Sequence, residues 1–148
     1  MIEVVRSTAA ATADLRRRVL RPGGALELPG DDDEAIAWFA VVEHGAVVST
    51  GNVRSDPAPA PVPACVGAWR LRGMATLPER RGAGLGASVL RSAVAHVVSC
   101  GGSLLWCNAR TPAQQFYERQ GFLPVGERWL DPVIGPHVRM WRDLRRPT

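Results

Sequence analysis

Apolar residues along this chain change period from segment to segment, and the changes predict its elements. Residues 35–42 (AIAWFAVV) and 46–53 (AVVSTGNV) are runs rich in β-branched and aromatic side chains, and Glu43-His44-Gly45 between them reads as a hairpin turn. From Leu85 the period becomes helical. Leu85, Val89, Leu90, Ala93, Val94 and Val97 recur at three- and four-residue steps while Ser88, Arg91, Ser92 and Ser99 fall off that stripe. This predicts an amphipathic helix over 85–99, ended by Gly101-Gly102. Residues 2–5 read as a short strand, and 8–20 as a helix stopped by Pro22 and the glycine pair after it. Residues 69–76 and 103–109 read as strands that make one β-α-β crossover with the helix between them. Pro112 suits the first turn of a further helix reaching Gln120, with Thr111 as its N-cap and Gly121 past its end. Residues 123–128 and 138–144 are the last two strands. Between strands, residues 54–64 (RSDPAPAPVPA) place four prolines at alternate positions. That spacing favours polyproline II and forbids a central strand, so a stiff surface connection is expected.

Composition narrows the class. At 148 residues the chain reads as a single domain, 1–148, able to bury roughly 70% of its unfolded surface. An apolar fraction of 46% with 22% charged residues is that of an ordinary soluble globule. The N-terminus lacks the apolar core of a signal peptide, and the apolar run 35–42 is far short of the about 20 residues of a membrane span. A cytoplasmic protein that engages no membrane is expected. Cys65, Cys100 and Cys107 form no C-x-x-C pair and have no histidine at zinc-finger spacing, so reduced thiols and no metal are expected. The net charge of +4 comes with 18 basic residues, all arginine. Apart from Arg16-Arg17-Arg18, Arg80-Arg81 and Arg145-Arg146 they are scattered, so no nucleic-acid surface is expected.

The candidate chemistry starts at Arg81-Gly82-Ala83-Gly84-Leu85-Gly86, a glycine-rich turn opening a helix, which reads as a pyrophosphate cradle. A Walker loop would need a lysine, and the chain has none. A dinucleotide fingerprint fits Gly82, Gly84 and Ala87 but needs an acid about 20 residues on. No Asp or Glu occurs between Glu79 and Glu118. The third pattern, Q/R-x-x-G-x-G/A, is met by Arg81, Gly84 and Gly86. It resembles the acetyl-CoA pyrophosphate loop of the GCN5-related N-acetyltransferase (GNAT) superfamily. The flanks agree. Residues 71–80 (LRGMATLPER) are similar to that family's fourth strand, and residues 108–122 (NARTPAQQFYERQGF) to its second signature.

The resemblance covers about residues 1–144. It implies an α+β GNAT fold: a mixed, mostly antiparallel sheet of about six to seven strands flanked by helices, around a central β-α-β acetyl-CoA-binding unit. It also implies acetyl transfer from acetyl-CoA to an amine acceptor, by direct attack through a tetrahedral oxyanion. A lysine-like amine with a pKa of about 10.4 is neutral in only about one molecule in a few thousand at pH 7, so a base must take its proton. By resemblance, the backbone of Met74, Ala75 and Thr76 contacts the cofactor where the fourth strand splays from the fifth, and an amide there holds the oxyanion. Arg81, Gly82, Ala83, Gly84, Leu85 and Gly86 take the pyrophosphate, and Asn108 bonds the pantetheine arm. Tyr117, the chain's sole tyrosine, falls on the family's acid position, with Phe116 beside it as core. His137 resembles a segment of one GNAT subgroup and is the candidate base. A water relayed to Glu79 or Glu127 is its rival, and a structural histidine a third reading. Trp69, Trp106, Trp129 and Trp141 either line an acceptor pocket or pack the core. An acetyl-CoA-binding regulatory module is the alternative function. The acceptor and a homodimer are left open.

Overall fold

A computed structural model describes residues 2–145, so Arg146 of the terminal arginine pair lies outside the described residues. Seven strands form a mixed sheet in the order β1-β2-β3-β4-β5-β7-β6, flanked by three helices. The chain divides into two compact units: residues up to Arg54 with Leu71–His96, and Ser55–Arg70 with the residues from Val97 on.

In the first unit, β1 (Val5–Ser7) pairs antiparallel with β2 (Ala37–Glu43), and β2 with β3 (Ala46–Ser55). The expected hairpin is present, and His44 takes its positive φ of 52°. The first strand sits later than residues 2–5, because Thr8 ends it by turning into a cap. Its hydroxyl accepts the Ala11 N–H at 3.0 Å and starts α1 (Ala9–Leu20). Arg16 lies inside this unit, 2% exposed. Its guanidinium donates to Thr12 Oγ1, Ala9 O and Asp31 Oδ2 at 3.1, 2.9 and 2.9 Å, and lies 4.4 Å from the Trp38 ring centre. The run Arg16-Arg17-Arg18 is thus one buried charge followed by two solvated ones.

β4 (Ala68–Thr76) and α2 (Leu85–Ser99) each contribute to both units. The helix bounds agree with the apolar stripe. In the second unit β4 pairs parallel with β5 (Leu104–Arg110), Ala68–Arg70 against Leu104–Trp106. β5 pairs antiparallel with β7 (Gly135–Asp143), and β7 with β6 (Leu123–Asp131). The last two strands run longer than their apolar residues suggested, and His137 is inside β7 rather than before it. The proline segment is not a bare surface strap. Val62 is 5% exposed and clusters with Ala68, Leu104 and Trp106, with Ala58 and Cys65 packed against them. The Trp106 indole N–H donates to the Asp56 carbonyl at 2.9 Å.

Candidate active site

After β4 the chain makes a 3-10 turn over Pro78–Arg80 and runs through exposed Arg81, Gly82, Ala83 and Gly84 into α2. Gly82 and Gly84 have φ of 83° and 82°. A Cβ on Gly82 would meet nothing within 4 Å, so in the free chain left-handed backbone, not crowding, demands glycine. Leu85, 2% exposed, anchors the helix start, and the Ser88 N–H donates to the Gly84 carbonyl at 3.1 Å. The N–H groups before Ser88 in that first turn have no intrahelical acceptor, and they lie at the positive end of the helix dipole. A phosphate needs such donors. The two adjacent arginines part ways. Arg80 grips Glu43 through both carboxylate oxygens at 2.7 Å, which holds the Glu43 carboxyl below its usual range. Arg81 is exposed and has no carboxylate partner among the described residues.

Within β4, Gly73 has φ 65°, and a Cβ on it would lie 2.8 Å from Asn52 Nδ2 and 3.4 Å from Arg16 Cδ. Left-handed backbone and the close approach of Asn52 both require glycine there, immediately before Met74–Thr76. Met74 places its thioether where a side chain on Gly51 would sit. Ala75 is buried, and Thr76 Oγ1 lies 2.8 Å from Ser49 Oγ. These side chains are committed to their own unit, so what Met74–Thr76 can offer a ligand is backbone.

In the second unit, directly paired residues of β5, β7 and β6 share a face. One face presents Trp106 and Asn108 from β5, His137 and Arg139 from β7, and Trp129 from β6. On β6, three residues separate Val125 (opposite Arg139) from Trp129 (opposite His137), where β7 has only Val138. That bulge keeps Trp129 on the face and lays its ring on His137, 5.5 Å between centres at 19°. His137 is 4% exposed, with Nδ1 2.7 Å from the Gly135 carbonyl. A carbonyl only accepts, so Nδ1 carries the hydrogen and Nε2 of the neutral ring keeps its lone pair. Arg139 Nε donates to Asn108 Oδ1 at 3.0 Å, and its guanidinium carbon lies 5.2 Å from the Trp129 ring centre and 6.0 Å from that of Trp106. The Asn108 amide therefore has a protein partner for its oxygen. What it keeps for a ligand is its NH2.

The other face carries Cys107, Ala109, Val138 and Met140. Tyr117 belongs with Cys107. It lies on α3 (Gln114–Arg119), which follows a 3-10 turn over Thr111–Ala113; Arg110 caps the turn and Ala113 caps α3, neither through its side chain, so Thr111 is not the N-cap. The helix ends in a Schellman motif: the Phe122 N–H donates to the Tyr117 carbonyl at 3.1 Å and the Gly121 N–H to that of Glu118 at 3.0 Å. That cap sets the Phe122 ring edge-on to Tyr117, centres 5.5 Å apart. Tyr117 is 7% exposed and Phe116 only half-buried, the reverse of the expectation that Phe116 is the core residue. Burial, with the nearby Cys107 thiol adding to it and Arg110 opposing, pushes the Tyr117 phenol well above its usual range. Burial also pushes the Cys107 thiol up to about 12. Tyr117 and His137 thus lie on opposite faces of one sheet. The rival bases Glu79 and Glu127 are both exposed.

The family model described as the Acetyltransferase (GNAT) family matches residues 11–122. The chain belongs to that family. It is 31% identical over 148 residues, 98% of either chain, to the uncharacterized N-acetyltransferase YitI of Bacillus subtilis (strain 168). Among solved structures, the ribosomal-protein-S18-alanine N-acetyltransferase of Escherichia coli superposes with TM-score 0.77 at 15% identity, covering 100% of this chain and 97% of that one. An aminoglycoside 6'-N-acetyltransferase complexed with coenzyme A gives TM-score 0.75 at 14% identity, covering 99% and 100%. At such identities the likeness is one of fold. The protein is a GNAT N-acetyltransferase, an enzyme that uses acetyl-CoA. Among its described residues no helix is long and apolar enough to cross a membrane.

Sequence reasoning about this acetyltransferase missed three features. Gly73 was findable, since a lone glycine in a strand pattern signals a bulge or a close approach, and here Asn52 makes the approach. Arg139 was findable too, because residues 137 and 139 share a face at period two. The burial of Arg16 had no local signal beyond Thr12 one turn earlier.

Proposed function

We propose that this GNAT enzyme moves the acetyl group of acetyl-CoA to a primary amine, on a small molecule or a peptide, by direct attack on the thioester carbonyl. The first unit supplies cofactor-binding backbone. Gly82 to Gly86 and the first turn of α2 meet the pyrophosphate, the unpaired Arg81 adds charge at the rim, and Met74, Ala75 and Thr76 contribute main-chain groups to the pantetheine and the thioester oxygen. The aminoglycoside acetyltransferase of the same fold was solved with coenzyme A, which supports this assignment. The second unit supplies proton chemistry: His137, on the sheet face opposite to that of Tyr117, takes the proton of the amine through Nε2, and the Asn108 NH2 bonds the pantetheine arm.

The observation that carries the reading is Tyr117. Its phenol, buried and raised in pKa, stays protonated across the working range, as the donor to a leaving thiolate must. For an ordinary phenol of pKa about 10 and a thiol of about 8.5 the transfer is already uphill by about 2 kcal/mol, and the raised pKa of Tyr117 makes it steeper, so it must accompany C–S cleavage, which needs a fixed ring. The Schellman cap and Phe122 fix it. The test is Tyr117→Phe in an assay of coenzyme A thiol release across an amine panel. We expect kcat to fall about a hundredfold while acetyl-CoA affinity by calorimetry stays within about twofold. An unchanged kcat at saturating amine removes Tyr117 from the chemistry.

A further inference from the structure

Arg139 is an arginine without an acid. Its side chain is half-buried. Its Nε–H is given to Asn108, the Trp129 and Trp106 rings flank its guanidinium, and no carboxylate pairs with it among the described residues. Elsewhere on this face Arg70 has Asp56 at 4.0 Å. A guanidinium moved partly out of water wants an anion. With the Nε edge pinned and two indole rings beside its carbon, its terminal amino groups are left as a fork that matches a carboxylate. Two residues earlier on the same strand and the same face stands His137. Their Cα atoms are therefore about 7 Å apart, a span that one compact molecule bridges with an amine at one end and an anion at the other.

We propose that the acceptor is a small amine that also carries a carboxylate, and that Arg139 binds this carboxylate and so determines acceptor specificity. The inference rests on the acetyl-transfer reading above and deepens it. A polyamine without an acidic group gains nothing from this face and meets the charge of Arg139 as repulsion.

The experiment uses matched acceptors: amino acids against the amines left by their decarboxylation, and phosphoethanolamine against ethanolamine, each with the wild-type enzyme, Arg139→Gln and Arg139→Lys. The carboxylated partner should be favoured in kcat/KM by about ten- to a hundredfold, expressed mainly in KM. Arg139→Gln should erase the preference. Arg139→Lys, which keeps charge without the fork, should keep part of it, and it decides the matter if thermal unfolding shows that the glutamine variant does not fold. Equal rates within pairs, or a preference that survives both variants, overturns the proposal, and so does a preference for the phosphate pair alone. If acetyl-CoA binds and no amine turns over, the acetyl-transfer reading fails. Calorimetry of the carboxylated amines with coenzyme A-loaded protein then judges the anion site by itself: binding lost in Arg139→Gln supports it, and no binding to wild type overturns it.

Discussion

Arg16 and Arg139 each lay a guanidinium against a tryptophan, and they differ in what holds the charge. Arg16 is enclosed by its own unit, with Thr12, Ala9 and Asp31 taking its N–H groups. Asp31 is itself held by the Leu28 N–H at 2.8 Å. Burial works to raise the Asp31 pKa, but the Leu28 bond and the Arg16 guanidinium outweigh it and hold the carboxyl below its usual range. Among the described residues, Arg139 has Asn108 as its one hydrogen-bond partner. A charge that folding has already neutralised is architecture, whereas one left half-buried with spare donors is a receptor. The same contrast recurs at Arg80, locked on Glu43, and its neighbour Arg81.

The largest effect should come from breaking the locked member. Asp31→Asn removes the countercharge and leaves Arg16 buried without it, which should cost about 3–5 kcal/mol in urea unfolding. Arg139→Gln gives up one part-buried hydrogen bond and no paired carboxylate, and should cost about 1 kcal/mol. Equal losses would erase the distinction between the two arginines.

The second effect comes from pH and sharpens the contrast between the units. Asp31 has a depressed folded pKa, so its contribution is present above the ordinary value of 3.8 and lost as pH falls through the folded one. Cys107 behaves oppositely. Its folded pKa is raised from 9.0 to about 12; between these values the unfolded chain loses a proton that the folded chain keeps, so stability falls as pH rises. By pH 10 the loss should reach about 1.4 kcal/mol, with Tyr117 adding to it at higher pH. Urea unfolding at pH 8 and pH 10 measures it. Cys107→Ala should lower stability at both pH values through its cavity while flattening the difference between them. An undiminished difference would move the alkaline sensitivity to another group.

How much of this was legible in the sequence depends on the range of the interaction that decides each feature. The hairpin around Glu43-His44-Gly45 and the bounds of α2 are local, and periodicity with turn chemistry found them. The family followed from short motifs, whose spacing is local too. What escaped reading is tertiary. Val62 is buried in a cluster with Trp106, whose indole N–H reaches back fifty residues to the Asp56 carbonyl. Trp129 faces His137 because a bulge in β6 resets its register. Phe116 and Tyr117 are adjacent in sequence, and only the packing of α3 decides that the tyrosine goes inside. For the site, the sequence showed that Asn108 at the end of a buried strand needs a partner, but not that Arg139 takes its oxygen.

The smallest effect separates Arg80 from Arg81. Adjacent arginines before a phosphate cradle look interchangeable, and a motif alone assigns the contact by position. Here the assignment has a physical reason. Arg80 gives its fork to Glu43, so a phosphate would have to displace a carboxylate already held at 2.7 Å, while Arg81 is exposed and has no carboxylate partner among the described residues. Arg81→Gln should weaken acetyl-CoA binding by about fivefold, the scale of an exposed ion pair, and Arg80→Gln by no more than about twofold. Because the Arg81 contribution is Coulombic and solvent-facing, the gap between the two variants should close as salt rises toward 1 M, where the screening length falls to about 3 Å. A gap that persists at high salt would mean that Arg81 acts through shape or packing. A larger loss from Arg80→Gln would mean that the Glu43 pair positions the turn, and that the locked arginine is the more important of the two.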